Sequence, residues 1–283
     1  MYIVTKVLAS IIGRMPYPIL DFLSKFLAVL AYDILRVRRT LIESNIKIAF
    51  PNMSPQDCAK MGRASLYHFA ATLFETIAGG PKNMLENIQF ENRVVLDEAL
   101  KRGLGAYMVC IHSGNFEVLG AAISTFWRPI TVPVKFVGKG GFDRYVHEQR
   151  QRYNIFPVRS QKKGDGYRAI VDALVAGRPV GFMLDQARHG EPRLPLFGKP
   201  AKTNTSLPAI WRKNPSPVIP LIVIRLSFGK HLIRFFDEVE MLKTSDDNLE
   251  DDITKQSIRF NQLVEKLVVI APQQYWWIHN RWK

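Results

Sequence analysis

Residues 105–126 read GAYMVCIHSGNFEVLGAAISTF, and the fold is decided there. An apolar run, Ala106 to Ile111, stops abruptly at His112. Its length and composition are those of a strand buried on both faces, as in parallel sheets. Three small or polar residues follow: Ser113, Gly114 and Asn115. A second apolar segment, Phe116 to Phe126, fits a helix with Asn115 as its N-cap and Glu117 in its first turn. Strand, tight turn and helix put His112 at the carboxyl end of a strand. In open α/β sheets that edge binds ligands.

His112 and Glu117 sit on one strand–turn–helix unit and can meet without help from distant parts of the chain. A neutral imidazole takes a proton from a hydroxyl when its other nitrogen is held by an acceptor. A carboxylate in that place fixes the tautomer and stabilises the imidazolium that forms. The same spacing also suits a plainer arrangement, in which a histidine ends a strand and a glutamate favours a helix N-terminus through the dipole.

Working outward, alternating elements extend the pattern. Residues 55–79 read as a helix opened by Ser54 and Pro55. Ile130 to Phe136 is a short strand containing Pro133. Phe142 to Tyr153 is a charged helix, and Gly166 to Ala176 an amphipathic one ended by Gly177. Val180 to Leu184 is a second buried strand, running into Asp185 and Gln186. Val218 to Leu226 and His231 to Val239 pair as a hairpin around Gly229 and Lys230. Leu249 to Ala271 is a long helix, with three acidic residues in its first turn and Pro272 after it. The pattern predicts an α/β fold, a mixed sheet flanked by helices. Two strands end in polar chemistry, at His112 and at Asp185-Gln186. Asp185 suits either a loop anchor or a contact to an acceptor molecule.

Composition bounds the function classes. The chain has 283 residues and can bury a sizeable core. Its two cysteines, Cys58 and Cys110, fit neither a disulfide framework nor a thiolate metal site. Cys110 lies inside an apolar strand, which favours an inert thiol over a nucleophile. The formal charge is +14, and residues 135–168 hold nine Lys or Arg against three Asp or Glu. Zinc-finger spacing and the aromatic pattern of an RNA-recognition sheet are both missing, so the charge is read against an anionic membrane or an acidic partner rather than nucleic acid. No metal and no cofactor are expected.

His112-Ser113-Gly114-Asn115-Phe116-Glu117 resembles the His-x4-Asp/Glu motif of glycerolipid-type acyltransferases. It looks most like the branch of late acyltransferases of lipid A biosynthesis, the lauroyl and myristoyl transferases. Other blocks carry the same likeness: residues 38–51 (RRTLIESNIKIAFP), Asp185-Gln186, residues 196–203 (LFGKPAKT) and the tail 276–283 (WWIHNRWK). Leu196 stands where that branch commonly has a phenylalanine. The resemblance implies transfer of a fatty acyl chain from a thioester donor, acyl carrier protein or acyl-CoA, to a hydroxyl of a glycolipid acceptor such as a lipid A precursor. His112 would be the general base, oriented by Glu117, with no acyl-enzyme. Ser113, Gly114 and Asn115 would line the substrate, and Arg150, in an Arg-x-x-Tyr-Asn element, would meet a phosphate or headgroup. A lysophospholipid or another bacterial lipid remains open as the acceptor, and so does a non-catalytic membrane-binding protein.

The first 39 residues differ from the rest. Leu20, Phe22, Leu23, Phe26, Leu27, Val29, Leu30, Ile34 and Leu35 cover most of a helix, with Asp21, Lys25 and Ala28 as a narrow less apolar stripe. Charges interrupt every run long enough to span a bilayer. Arg36, Arg38 and Arg39 add a cationic collar suited to anionic headgroups. Residues 1–39 are therefore expected to be a membrane-associating helical segment; the resemblance implies the cytoplasmic face of a bacterial inner membrane for it and makes residues 40–283 the catalytic domain.

Overall fold

Strand β2 (Ala106–Cys110) is buried along its whole length in a computed structural model, which describes residues 2–78, 85–134, 140–158, 164–186, 190–243 and 249–282. It pairs in parallel with β5 (Pro179–Met183) on one side and with β8 (Val218–Ser227) on the other. β3 (Ile130–Pro133) and β4 (Ile155–Val158) extend the sheet in parallel beyond β5. On the far side, β8 turns through Phe228 and Gly229 into antiparallel β9 (Lys230–Phe235), which pairs with β1 (Ile88–Glu91). The order is β1-β9-β8-β2-β5-β3-β4, a mixed sheet as the pattern predicts.

Alternation along β2 divides the core between the two faces. Tyr107, Val109 and Ile111 pack with α3 (Arg39–Ala49), α8 (Asp165–Val175) and α9 (Leu249–Ile270). Ala106, Met108 and Cys110 pack with α5 (Val94–Lys101) and α6 (Phe116–Phe126). Helices on both faces explain why this strand reads as a continuous apolar run.

Two details go beyond the sequence reading. β3 ends at Pro133; the expected strand runs on to Phe136, and residues 135 and 136 lie outside the described residues. The block at 196–198 forms the turn of a small hairpin, β6 (Arg193–Leu196) with β7 (Lys199–Lys202). Phe197 and Gly198 both have positive φ there, 50° and 68°, as a two-residue primed turn requires.

The N-terminal helices α1 (Tyr2–Ile12) and α2 (Tyr17–Val29) are inside out for a water-soluble protein. α2 packs on α4 (Pro55–Ile77) through Leu20, Ser24 and Ala28, and Ser24 Oγ donates to the Leu20 carbonyl at 2.8 Å. Its bulky side chains point away: Phe22 and Phe26 are 65% and 55% exposed. Ile3, Val4, Val7, Leu8 and Ile11 of α1, and Ile34 and Leu35 after α2, are exposed as well. No helix of the described residues is long and apolar enough to cross a membrane. The arginine collar is only partly available: Arg39 pairs with Glu43 at 2.8 Å and Arg38 donates to the Ile278 carbonyl at 3.2 Å.

Candidate active site

The turn from β2 to α6 is fixed before any substrate arrives. Gly114 has φ of +54°, and a Cβ there would lie 2.5 Å from the Val223 carbonyl oxygen, so only glycine fits. Asn115 caps α6, its Oδ1 accepting from the N–H groups of Glu117 and Val118, both at 3.1 Å. Such a cap contributes about 1 kcal/mol. Thr72 Oγ1 lies 2.8 Å from the Gly114 carbonyl and ties the turn to α4.

At the mouth of this turn His112 is gripped by Asp185. Asp185 Oδ2 accepts from the His112 backbone N–H at 3.0 Å, and Oδ1 lies 2.8 Å from Nδ1 of the ring. The parallel pairing of β2 with β5 makes this possible, because both strands end on the same edge. Asp185 is 1% exposed. Burial pushes its carboxyl up, but the charge and hydrogen bonds of His112, helped by Arg281, outweigh burial and hold it below the usual carboxylate range. An ionised Asp185 makes Nδ1 the donor and leaves Nε2 as the lone-pair nitrogen.

Glu117 does not hold the imidazole. Its carboxylate forms a two-point pair with Arg150 of α7 (Gly141–Arg152): Arg150 Nε donates to Oε2 at 2.9 Å, and Nη2 donates to Oε1. The contact to the imidazole that the spacing assigned to Glu117 is made by Asp185. The physical reason is direction: Glu117 sits in the first turn of α6 and faces α7, whereas the end of β5 lies beside His112. Burial opposes the charge on Arg150, yet Glu117 keeps its guanidinium firmly protonated. Arg150 thus reaches the site edge already paired.

Beneath the turn lies a buried polar cluster that sequence reasoning missed. Asn115 Nδ2 donates to Glu75 Oε2 at 2.7 Å. Arg225 of β8 forks onto Glu75 through Nε and Nη2, at 3.0 and 2.6 Å, and Gly229 N–H donates to it at 3.0 Å. Glu75 is fully buried; burial raises its carboxyl, Arg225 outweighs that, and the net direction is down. His68 lies 2.8 Å from Arg225 Nη1, and burial first, then Arg225, pushes it down to about 3. A signal was present: Glu75 and Arg225 are single charges of opposite sign, each set in an apolar run.

The remaining candidates fall around the same edge. Ser113 is buried, bridges to Tyr275, and has an Oγ with no hydrogen-bond partner among the described residues. Gln186 follows Asp185, half-buried. Cys110 is buried with Sγ 3.7 Å from the Phe182 carbonyl, and burial pushes its thiol far up. Trp276, named only within the tail motif, stacks on the His112 ring with centroids 5.2 Å apart. No His/Cys/Asp/Glu cluster able to hold a metal occurs among the described residues. The basic stretch 135–168 is partly outside them.

This geometry, a carboxylate-held histidine at a strand end, accompanies a likeness that spans the chain. The lipid A biosynthesis palmitoleoyltransferase of Escherichia coli (strain K12) is 24% identical over 277 residues, 95% of this chain and 87% of that protein. The lipid A biosynthesis lauroyltransferase of the same organism is 25% identical over 288 residues, 96% and 88% of the two chains. Among solved structures, the 1-acyl-sn-glycerophosphate acyltransferase PlsC of Thermotoga maritima is 14% identical, covers 88% of this chain and 97% of its own, and superposes with a TM-score of only 0.35. The profile of the bacterial lipid A biosynthesis acyltransferases matches residues 1–283, and the chain belongs to that family of acyltransferases.

Proposed function

We propose that the protein moves a fatty acyl chain from a thioester donor, acyl carrier protein or acyl-CoA, to a hydroxyl of a lipid A precursor, with His112 as general base held by Asp185. The two-point grip of Asp185 on His112 carries this reading. Nε2 takes the proton of the acceptor hydroxyl, and the oxygen attacks the thioester carbonyl. The tetrahedral intermediate collapses, the C–S bond breaks, and the imidazolium returns its proton to the departing thiolate. Asp185 stabilises the imidazolium throughout.

Donors for the oxyanion come from the turn. The N–H groups of Ser113, Gly114, Glu117 and Val118 already have acceptors. Those of Asn115 and Phe116 are left as the candidates. Arg150, paired with Glu117, stands at the rim as the contact for a phosphorylated headgroup. Ser113 and Gln186 line the same edge. The exposed apolar side chains of α1 and α2 support attachment to the cytoplasmic face of the inner membrane, where such an acceptor resides.

The test is turnover of His112→Ala with a thioester donor and a glycolipid acceptor, beside a thermal melt and mass spectrometry of the product. Loss of transfer in a folded variant supports the reading. Near-native turnover would sink it.

A further inference from the structure

Trp276 lies over the His112 imidazole, with ring centroids 5.2 Å apart and planes 24° from parallel. Its backbone N–H donates to the His112 carbonyl at 3.0 Å. Edges of Phe69 and Phe116 close on the indole, at 4.8 and 5.2 Å between centroids, so the ring is boxed in. The strap that carries it is tied down at several points. Ser65 Oγ donates to the Tyr275 carbonyl at 2.6 Å, Asn45 Nδ2 to the carbonyls of Trp277 and His279, and Arg281 Nη1 to the Leu184 carbonyl at 2.6 Å.

Packing alone does not account for an indole here. Trp276 Nε1 is buried with no hydrogen-bond partner among the described residues, and an unsatisfied buried donor is costly. Phenylalanine would fill apolar space without that cost. What the indole adds is the most electron-rich aromatic face available, the best partner for a cation within about 6 Å of its centroid. The imidazole is neutral before proton transfer and cationic after it, so an aromatic face gains most as the reaction proceeds.

We propose that Trp276 is a positioning residue for acyl transfer, its indole face holding the His112 ring and stabilising the imidazolium formed when the acceptor hydroxyl loses its proton. The inference rests on the reading of His112 as general base. The charged and titratable groups around the imidazole are Asp185 from the end of β5 and Tyr275, His279 and Arg281 from the C-terminal strap. Asp185 favours the cation, Arg281 and any charge on His279 oppose it, and Trp276 covers a ring face.

The experiment compares the full chain with Trp276→Phe and Trp276→Leu in mixed detergent–lipid micelles. Trp276→Leu should lower kcat about 2- to 30-fold, the span of a cation–π contact, with KM for donor and acceptor unchanged. Trp276→Phe, which keeps a weaker aromatic face, should fall between it and the parent. The acid limb of the kcat/KM–pH profile should move to lower pH in Trp276→Leu, because the protonated ring loses a stabilising neighbour. Independently of turnover, the emission difference between the parent and Trp276→Phe should titrate along that acid limb, and this pH dependence should vanish when His112→Ala is added to both proteins. An unmoved acid limb, a loss confined to KM, or equal activity in all three proteins overturns the inference. His112→Ala separates the two failures: if that variant turns over normally, the general-base reading fails, whereas a dead His112→Ala with an unmoved Trp276 profile removes this inference alone.

Discussion

Asp185 reaches His112 across 73 residues of sequence and holds it at two points, the backbone N–H at 3.0 Å and ring Nδ1 at 2.8 Å. Backbone and side chain are thereby locked to one carboxylate. The ring cannot turn over without breaking a charge-assisted bond.

That grip ranks the two carboxylates. Asp185→Asn should lower turnover by about 10² to 10⁴ while the protein stays folded, because an amide no longer selects the productive tautomer. Glu117→Ala should cost less in rate. Steady-state turnover of both variants with one thioester donor decides the matter; a larger loss in Glu117→Ala would return the orienting role to Glu117.

The pair between Glu117 and Arg150 predicts a coupled response. Their side chains are 14% and 21% exposed, so removing one strands a charge in a poorly solvated place. Each alanine variant should lose roughly 3 kcal/mol of stability, and the double variant should recover part of it. Denaturant titration of all four proteins reads the coupling. Arg150→Ala should also reduce activity toward a phosphorylated acceptor and leave vesicle binding intact.

The outward face of α2 predicts membrane behaviour. Phe22→Glu with Phe26→Glu should not disturb the core, since both rings are mostly exposed. The double variant should lose binding to anionic lipid vesicles, measured by co-sedimentation, and keep its melting temperature. Undiminished sedimentation would show that the attachment lies elsewhere. Neutralising Arg36 and Arg38 should weaken binding mainly at low salt.

The buried histidines make stability fall in mild acid. Burial pushes His68 down to about 3 and His231 to about 4, against an ordinary value of 6.5. Below about pH 6.5 the unfolded chain binds protons that the folded protein refuses until those lower values are reached. Stability should therefore drop by up to about 1.4 kcal/mol per pH unit for each histidine in that window. Thermal melts at pH 7.5 and pH 5 should differ by several degrees. A flat response would mean that the cluster admits protons or water.

Cys110→Ala should retain most activity, and intact-protein mass spectrometry after incubation with donor alone should show no added acyl group. A buried thiol pushed far above its ordinary range is neither ionised nor accessible. A stable acyl adduct on Cys110 would replace direct transfer with a two-step route.

Much of this was written locally. The run from Ala106 to Ile111, the break at His112 and the capping Asn115 specify strand, turn and helix through short-range physics: a continuous apolar stretch, small and polar turn residues, and satisfaction of helix N–H groups. The apolar N-terminus and the spacing of blocks up to Trp276 and Arg281 were equally legible. The partners of the charged groups were not. Glu117 and His112 are neighbours in sequence, but helix direction sends one toward Arg150 and strand pairing brings the other to Asp185. The outward direction of α2 was also hidden, because a helix apolar nearly all round does not say which side meets α4 until Leu20, Ser24 and Ala28 are seen packed there. Sequence determined the local elements and the candidate residues that they present. Only the tertiary structure decided which charges face each other, because a buried ion takes the partner that the strand order and helix packing bring within reach.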